Sequence, residues 1–206
     1  MQPLNLNDSQ GAQPPPASPD APPSLLNPEP PRKRRTWLAV LLVIVGLVGA
    51  VYGWNYVALQ SPMSDVLSGD PRNKGVSVSV HYENYIDPST LIYDLRDVSG
   101  PNSKMDVFRV FLQFADKLKD RKFDTVILSF RGKQKFKMSG AYFQQLGREY
   151  GYQNPVHTLN HLPENLKDMD GTPAFGTWTG GWLGVMQKQM EDFNEFHDKW
   201  YLNDMR

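Results

Sequence analysis

The chain has 206 residues, enough for one ordinary domain and some additional segments but not for two full domains. Lys plus Arg and Asp plus Glu number 22 each, so the net positive field of a nucleic-acid binder is missing and nucleic acid is not an expected partner. There is no cysteine, which excludes disulfides, thiolate metal sites, cysteine nucleophiles and lipid attachment through cysteine.

Residues 1–35 hold 10 of the 17 prolines and few apolar side chains. Such a segment cannot bury enough surface to offset its ordering entropy, so it reads as a disordered, Pro-rich tail with polyproline II stretches. It ends in a basic cluster, Arg32, Lys33, Arg34 and Arg35.

From Thr36 to Ser64 no residue is charged, and the run from Trp37 to Trp54 is apolar with aromatic flanks at Tyr52, Trp54 and Tyr56. At about 1.5 Å per residue, 18 to 23 residues cover roughly 27–34 Å, the thickness of a bilayer core. A transmembrane helix over 36–59 is therefore expected, with its rings at the two interfaces. Arg32, Lys33, Arg34 and Arg35 are the topology determinants. Positive charge is retained on the cytoplasmic side, so the tail stays inside and the C-terminal part is exported. Val48-Gly49-Ala50 offers a small-residue cleavage site, but apolar sequence continues past Ala50 and an uncleaved signal anchor is the preferred reading. Gly46, Gly49 and Gly53 recur at helical steps suited to close packing with another membrane helix.

Residues 60–74 read as a linker, and 75–206 as one exported globular domain. That domain has no cysteine and no Asn-x-Ser/Thr sequon, which points away from eukaryotic ectodomains and towards a bacterial inner-membrane protein facing the periplasm.

Within the domain, alternation predicts strands at 76–82 and 91–96, then at 125–130 and 135–138. Ser103 followed by Asp106 marks the start of a helix over about 104–120. Ser139 opens a short helix closed near Gly151. From Trp182 onwards, Met186, Met190, Phe193, Phe196 and Trp200 repeat at steps of three or four, the pattern of an amphipathic helix. Strands and helices in this order predict an α+β fold, a largely antiparallel sheet packed with two or three helices.

Chemistry is less legible. His157 and His161 stand four apart, but Pro155 and Pro163 bracket them and argue against a helix; His197 is remote in sequence. Asp94 and Asp97 would project from opposite sides of a strand. No metal ligand set, cofactor motif or catalytic set is assigned. Arg131, Lys133, Lys135 and Lys137 alternate across a hairpin and are expected to share one basic face, suited to an anionic partner or, more commonly, to protecting an edge strand. The Gly-rich stretch from Phe175 to Trp182, with Trp178, Trp182 and the nearby His157 loop, is the preferred interaction surface. The leading expectation is a single-pass anchor carrying a periplasmic binding or assembly module with an envelope protein partner. The alternative is a membrane-tethered hydrolase acting on envelope glycan or lipid.

Overall fold

The computed structural model describes residues 33–206, with side chains from Thr36 onwards and without that of Pro155. The Pro-rich tail, including Arg32, lies outside the described residues. Lys33, Arg34 and Arg35 fall within the first turn of a helix, so these basic positions belong to α1 (Lys33–Asn55) and not to the tail.

One helix, counted from Thr36 to Gly69, is long and apolar enough to cross a membrane. It runs through α1, a π-helical turn over Tyr56–Gln60 and α2 (Ser61–Gly69). Its apolar side chains stand exposed from Trp37 to Val57, with Val51 partly covered and Asn55 buried. No atom outside the helix approaches within 4 Å of where a Cβ would stand on Gly46, Gly49 or Gly53, so that face is open.

The linker expected over 60–74 is not a linker. Residues up to Gly69 continue the helix, and Ala58, Leu59, Met63 and Val66 are buried in the hydrophobic core. The physical reason is amphipathicity: four small or medium apolar residues fall on one side of this stretch and the polar ones, Ser64, Asp65 and Ser68, fall on the other. After it, the 3₁₀ turn Pro71–Asn73 is pinned by the buried Asn73, whose Nδ2 donates to the Val66 carbonyl at 2.8 Å and to Gln113 Oε1 at 2.6 Å.

Among the described residues, four strands form one sheet in the order β1 (Val76–Glu83), β2 (Asp87–Val98), β3 (Thr125–Phe130) and β4 (Lys133–Ser139). The outer pairs are antiparallel, as hairpins require, but β2 and β3 are parallel. The sheet is mixed where a largely antiparallel one was expected. The cause is α3 (Lys104–Lys117), a crossover helix that returns the chain to the starting end of β2 before β3 begins. The capping box at its start, Ser103 with Asp106, is formed as the sequence implies.

Val76, Val78, Val80, Leu91, Tyr93, Leu95, Val126, Leu128, Phe136 and Met138 make the helix-facing side of the sheet. On it lie α2, α3, α4 (Gly140–Glu149) and α6 (Trp182–His197), the last continued by a π-helical turn over Asp198–Leu202 and a final turn, α7 (Asn203–Met205). Trp200 sits under the sheet and donates its indole N–H to the Ser129 carbonyl at 3.0 Å. Gly147 of α4 is required by close packing, since a Cβ there would collide with the Ala115 carbonyl of α3.

Both sheet edges are covered. On the β4 side, Lys137 and Lys167 exchange two backbone hydrogen bonds of 2.8 Å. On the β1 side, two side-chain amides of the long helix take the place of a neighbouring strand. Gln60 Oε1 accepts the Val80 N–H at 2.9 Å, and its Nε2 donates to the Val78 carbonyl at 3.4 Å. Asn55 Oδ1 accepts the Tyr82 N–H at 2.8 Å, and its Nδ2 donates to the Tyr85 carbonyl at 2.7 Å. On an ideal α-helix residues five apart stand about 140° apart. The π-helical turn, closed by the Ser61 N–H to the Tyr56 carbonyl, brings 55 and 60 to the same side.

Candidate functional site

His157, Trp178 and Trp182 line one groove. The helix α5 (Pro155–His161) forms despite its flanking prolines. Asn154 is its N-cap, with Oδ1 accepting the Val156 N–H at 2.9 Å, and Pro155 takes the first helical position, where no N–H is needed. Pro163 begins a separate 3₁₀ turn, Pro163–Asn165, after the helix has ended. The bracketing prolines, which argue against a helix here, are accommodated at its first position and beyond its end.

One turn apart on α5, the rings of His157 and His161 lie with centroids 4.3 Å apart. His161 Nδ1 is held by the Glu164 carboxylate. Facing them across a groove of about 530 Å³ are Trp178, Gly180, Trp182, Met186 and Gln189. The three aromatics of the Gly-rich stretch have different fates. Phe175 is buried against Phe136. Trp178 is half-exposed, its ring packed over Gly176 and its Nε1 donating to Asp192 Oδ2 at 2.6 Å. Trp182 opens α6 with 73% of its surface exposed, beside the exposed Leu183. Gly180, at φ +135°, and Gly181, the N-cap of α6, allow the sharp entry that leaves Trp182 facing outward. Asn160 Oδ1 at this groove is buried without a hydrogen-bond partner. The arrangement offers a fixed aromatic wall, a free indole and unpaired amide and imidazole groups, which together suit a ligand with an apolar face and a polar edge.

His197 does not join this pair. It is fully buried, caged by the rings of Phe193, Phe196, Trp200 and Tyr201, and neither ring nitrogen has a partner. Burial, reinforced by the nearby Lys104 charge, pushes its imidazole down to about 3. Among the described residues, no group of three His, Asp or Glu side chains is arranged to hold a metal ion.

A second depression, of about 430 Å³, lies on the sheet face away from the helices and is lined by His81, Asp94, Arg96, Ser129 and Gln134 among others. Asp94 is buried there; both its oxygens accept the Gly132 N–H, and Arg96 Nη2 stands 2.7 Å away. His81 Nδ1 bonds the Tyr82 carbonyl, and Ser129 Oγ has no partner. Serine, histidine and aspartate thus share a depression without forming the hydrogen-bonded relay that nucleophilic catalysis uses. Asp97 is turned elsewhere, 3.4 Å from Arg131 Nη2.

The basic hairpin is not a single face. A bulge between Leu128 and Ser129 breaks the alternation on which that expectation rested. Lys133 and Lys135 both reach Asp204, at 3.8 and 3.0 Å. Lys137 Nζ donates to the Met169 carbonyl at 3.0 Å, and Arg131 Nε donates to the Arg96 carbonyl at 3.1 Å while its guanidinium lies over Phe130. Each cation is therefore engaged within the domain.

Asn55 and Gln60, which hold the β1 edge, are not recognisable as functional residues from a sequence motif. Their signal was nonetheless present, as two amides within an otherwise apolar uncharged run. No known protein family matches the chain, and neither does any curated protein or solved structure.

Proposed function

We propose that this protein is a single-pass inner-membrane protein of the bacterial envelope, with its N-terminus cytoplasmic and its α+β domain periplasmic, and that the domain is a binding or assembly module. The lipid bilayer is its first partner and an envelope protein its second. The apolar helix and the arginine-rich collar before it support the anchor and its orientation. The observation that carries the binding role is the exposed Trp182–Leu183 pair at the mouth of an aromatic groove. Large rings held outward on a rigid element are the usual anchors of protein interfaces. Attachment to a membrane confines such a surface to a thin layer and raises its effective concentration for partners there.

The hydrolase reading ranks second. It needs at least two acid–base groups converging on one point. Asp94 is engaged by Gly132 and Arg96, Asp97 faces Arg131, and the His157–His161 pair lines the other depression.

The test is site-specific photocrosslinking in intact cells, with a benzophenone side chain at Leu183 of the full chain. A discrete crosslinked protein, lost when Trp182 is changed to Ala, is expected. A chain that crosslinks to no protein at native expression would overturn the binding-module reading. Digestion of the domain by protease added to spheroplasts, with the tail left intact, checks the orientation.

A further inference from the structure

We propose that the tip of the β1–β2 hairpin, residues 84–86, is a lipid-contacting element that seats Ile86 at the headgroup boundary of the bilayer crossed by α1. This rests on the membrane reading above and adds a second point of contact to it.

The strand β1 runs down the long helix towards the apolar segment. Gln60 pairs with Val78 and Val80, whereas Asn55, five residues closer to the apolar segment, pairs with Tyr82 and Tyr85. The hairpin tip is thus the part of this sheet edge nearest the membrane. Its level can be read from the helix. The run from Trp37 to Val57 spans about 30 Å at about 1.5 Å per residue, the depth of a hydrocarbon core, so Tyr52 to Val57 fall at its outer boundary. The ring of Tyr85 packs on that of Tyr52 at 4.9 Å, which places the tip at the same boundary.

The tip is held firmly and in an unusual conformation. The Ile86 N–H bonds the Glu83 carbonyl at 3.2 Å, closing a turn whose two central residues, Asn84 and Tyr85, have φ of +50° and +64°. Asparagine suits the first position, but glycine is usual at the second. Tyr85 is kept there by its carbonyl bond to Asn55, by stacking on His81 at 4.5 Å and by Tyr52. The next residue, Ile86, is then 72% exposed at the apex of the hairpin. An aromatic ring at the interface with an aliphatic side chain beside it is the composition that partitions into the headgroup region.

The absence of cysteine makes the test direct. Single variants Ile86→Cys, Val45→Cys and Lys117→Cys of the full chain are labelled with nitrobenzoxadiazole. Each is reconstituted in phosphatidylethanolamine–phosphatidylglycerol vesicles carrying nitroxide lipids, with the quencher either high on the acyl chain or at its end. Val45 reports the span, and Lys117, which lines a depression with Gly69 and Asp70, reports the distal end of the long helix. The Ile86 label is expected to lose about half its emission to the shallow quencher and less to the deep one, as an interfacial group does. The Lys117 label should lose none. An Ile86 label as unquenched as the Lys117 label, with Val45 quenched, rejects the hairpin contact and leaves the span standing. A Val45 label unquenched by either lipid rejects both.

Discussion

Asn55 accepts the backbone N–H of Tyr82 at 2.8 Å, a side chain of the long helix completing the hydrogen bonding of a sheet edge 27 residues further on. With Gln60 it gives backbone groups of an edge strand side-chain partners from the helix.

Replacing Asn55 by Leu leaves the Tyr82 N–H and the Tyr85 carbonyl unpaired at a buried seam. The expected loss is about 1–3 kcal/mol, since an unsatisfied buried group carries its full desolvation cost. Gln60→Leu should cost less, because one of its two bonds is already long at 3.4 Å. Thermal unfolding of the full chain in detergent measures both. Equal stability of Asn55→Leu and the parent would contradict the clamp.

His197 makes stability depend on acid. Its folded-state imidazole is lowered from 6.5 to about 3 by burial. Above about pH 6.5 the ring is neutral folded or unfolded and adds no slope. Between there and pH 3 only the unfolded chain takes the proton, so stability falls with falling pH by about 1.4 kcal/mol per unit. His197→Leu is expected to flatten this limb in denaturant titrations at pH 7, 5.5 and 4. It should also raise stability at pH 7, because two unpartnered buried nitrogens are removed. An unchanged acid limb would show that other groups govern it.

Two tryptophans should separate binding from folding. Trp182→Ala is expected to shift stability by less than about 0.5 kcal/mol, as exposed positions do, while abolishing the Leu183 crosslink. Trp200→Ala should cost about 3–5 kcal/mol, because it empties the core beneath Ser129. Circular dichroism melts alongside crosslinking yields distinguish the two.

At the contact between α3 and α4, Gly147→Ala is expected to cost about 1–3 kcal/mol through overpacking against the Ala115 carbonyl. Gly151→Ala meets no atom within 4 Å and serves as the neutral control. A harmless Gly147→Ala in the same melts would mean that the two helices can separate at little cost.

What the chain determined by itself is local. An uncharged apolar run long enough for a bilayer, the alternation of β1, the Ser103–Asp106 capping box and the periodicity after Trp182 are set by neighbours within a turn or two, and the structure has the corresponding elements there, although the apolar helix runs on to Gly69 and β2 begins at Asp87. Tertiary structure decided the remainder. The direction of β3 beside β2 depends on the path of a crossover helix, which hydrophobic alternation does not encode. Residues 60–69 read as a linker because serine, proline and glycine dominate them, yet β1 offered unpaired backbone groups and the core a slot for Met63 and Val66, so helix was the cheaper state. Trp178, Trp182 and His157 lie on segments that sequence proximity suggests as one surface, but their placement around one groove comes from the packing of α5 against α6. Long-range complementarity of this kind is a property of surfaces that exist only after the chain has folded.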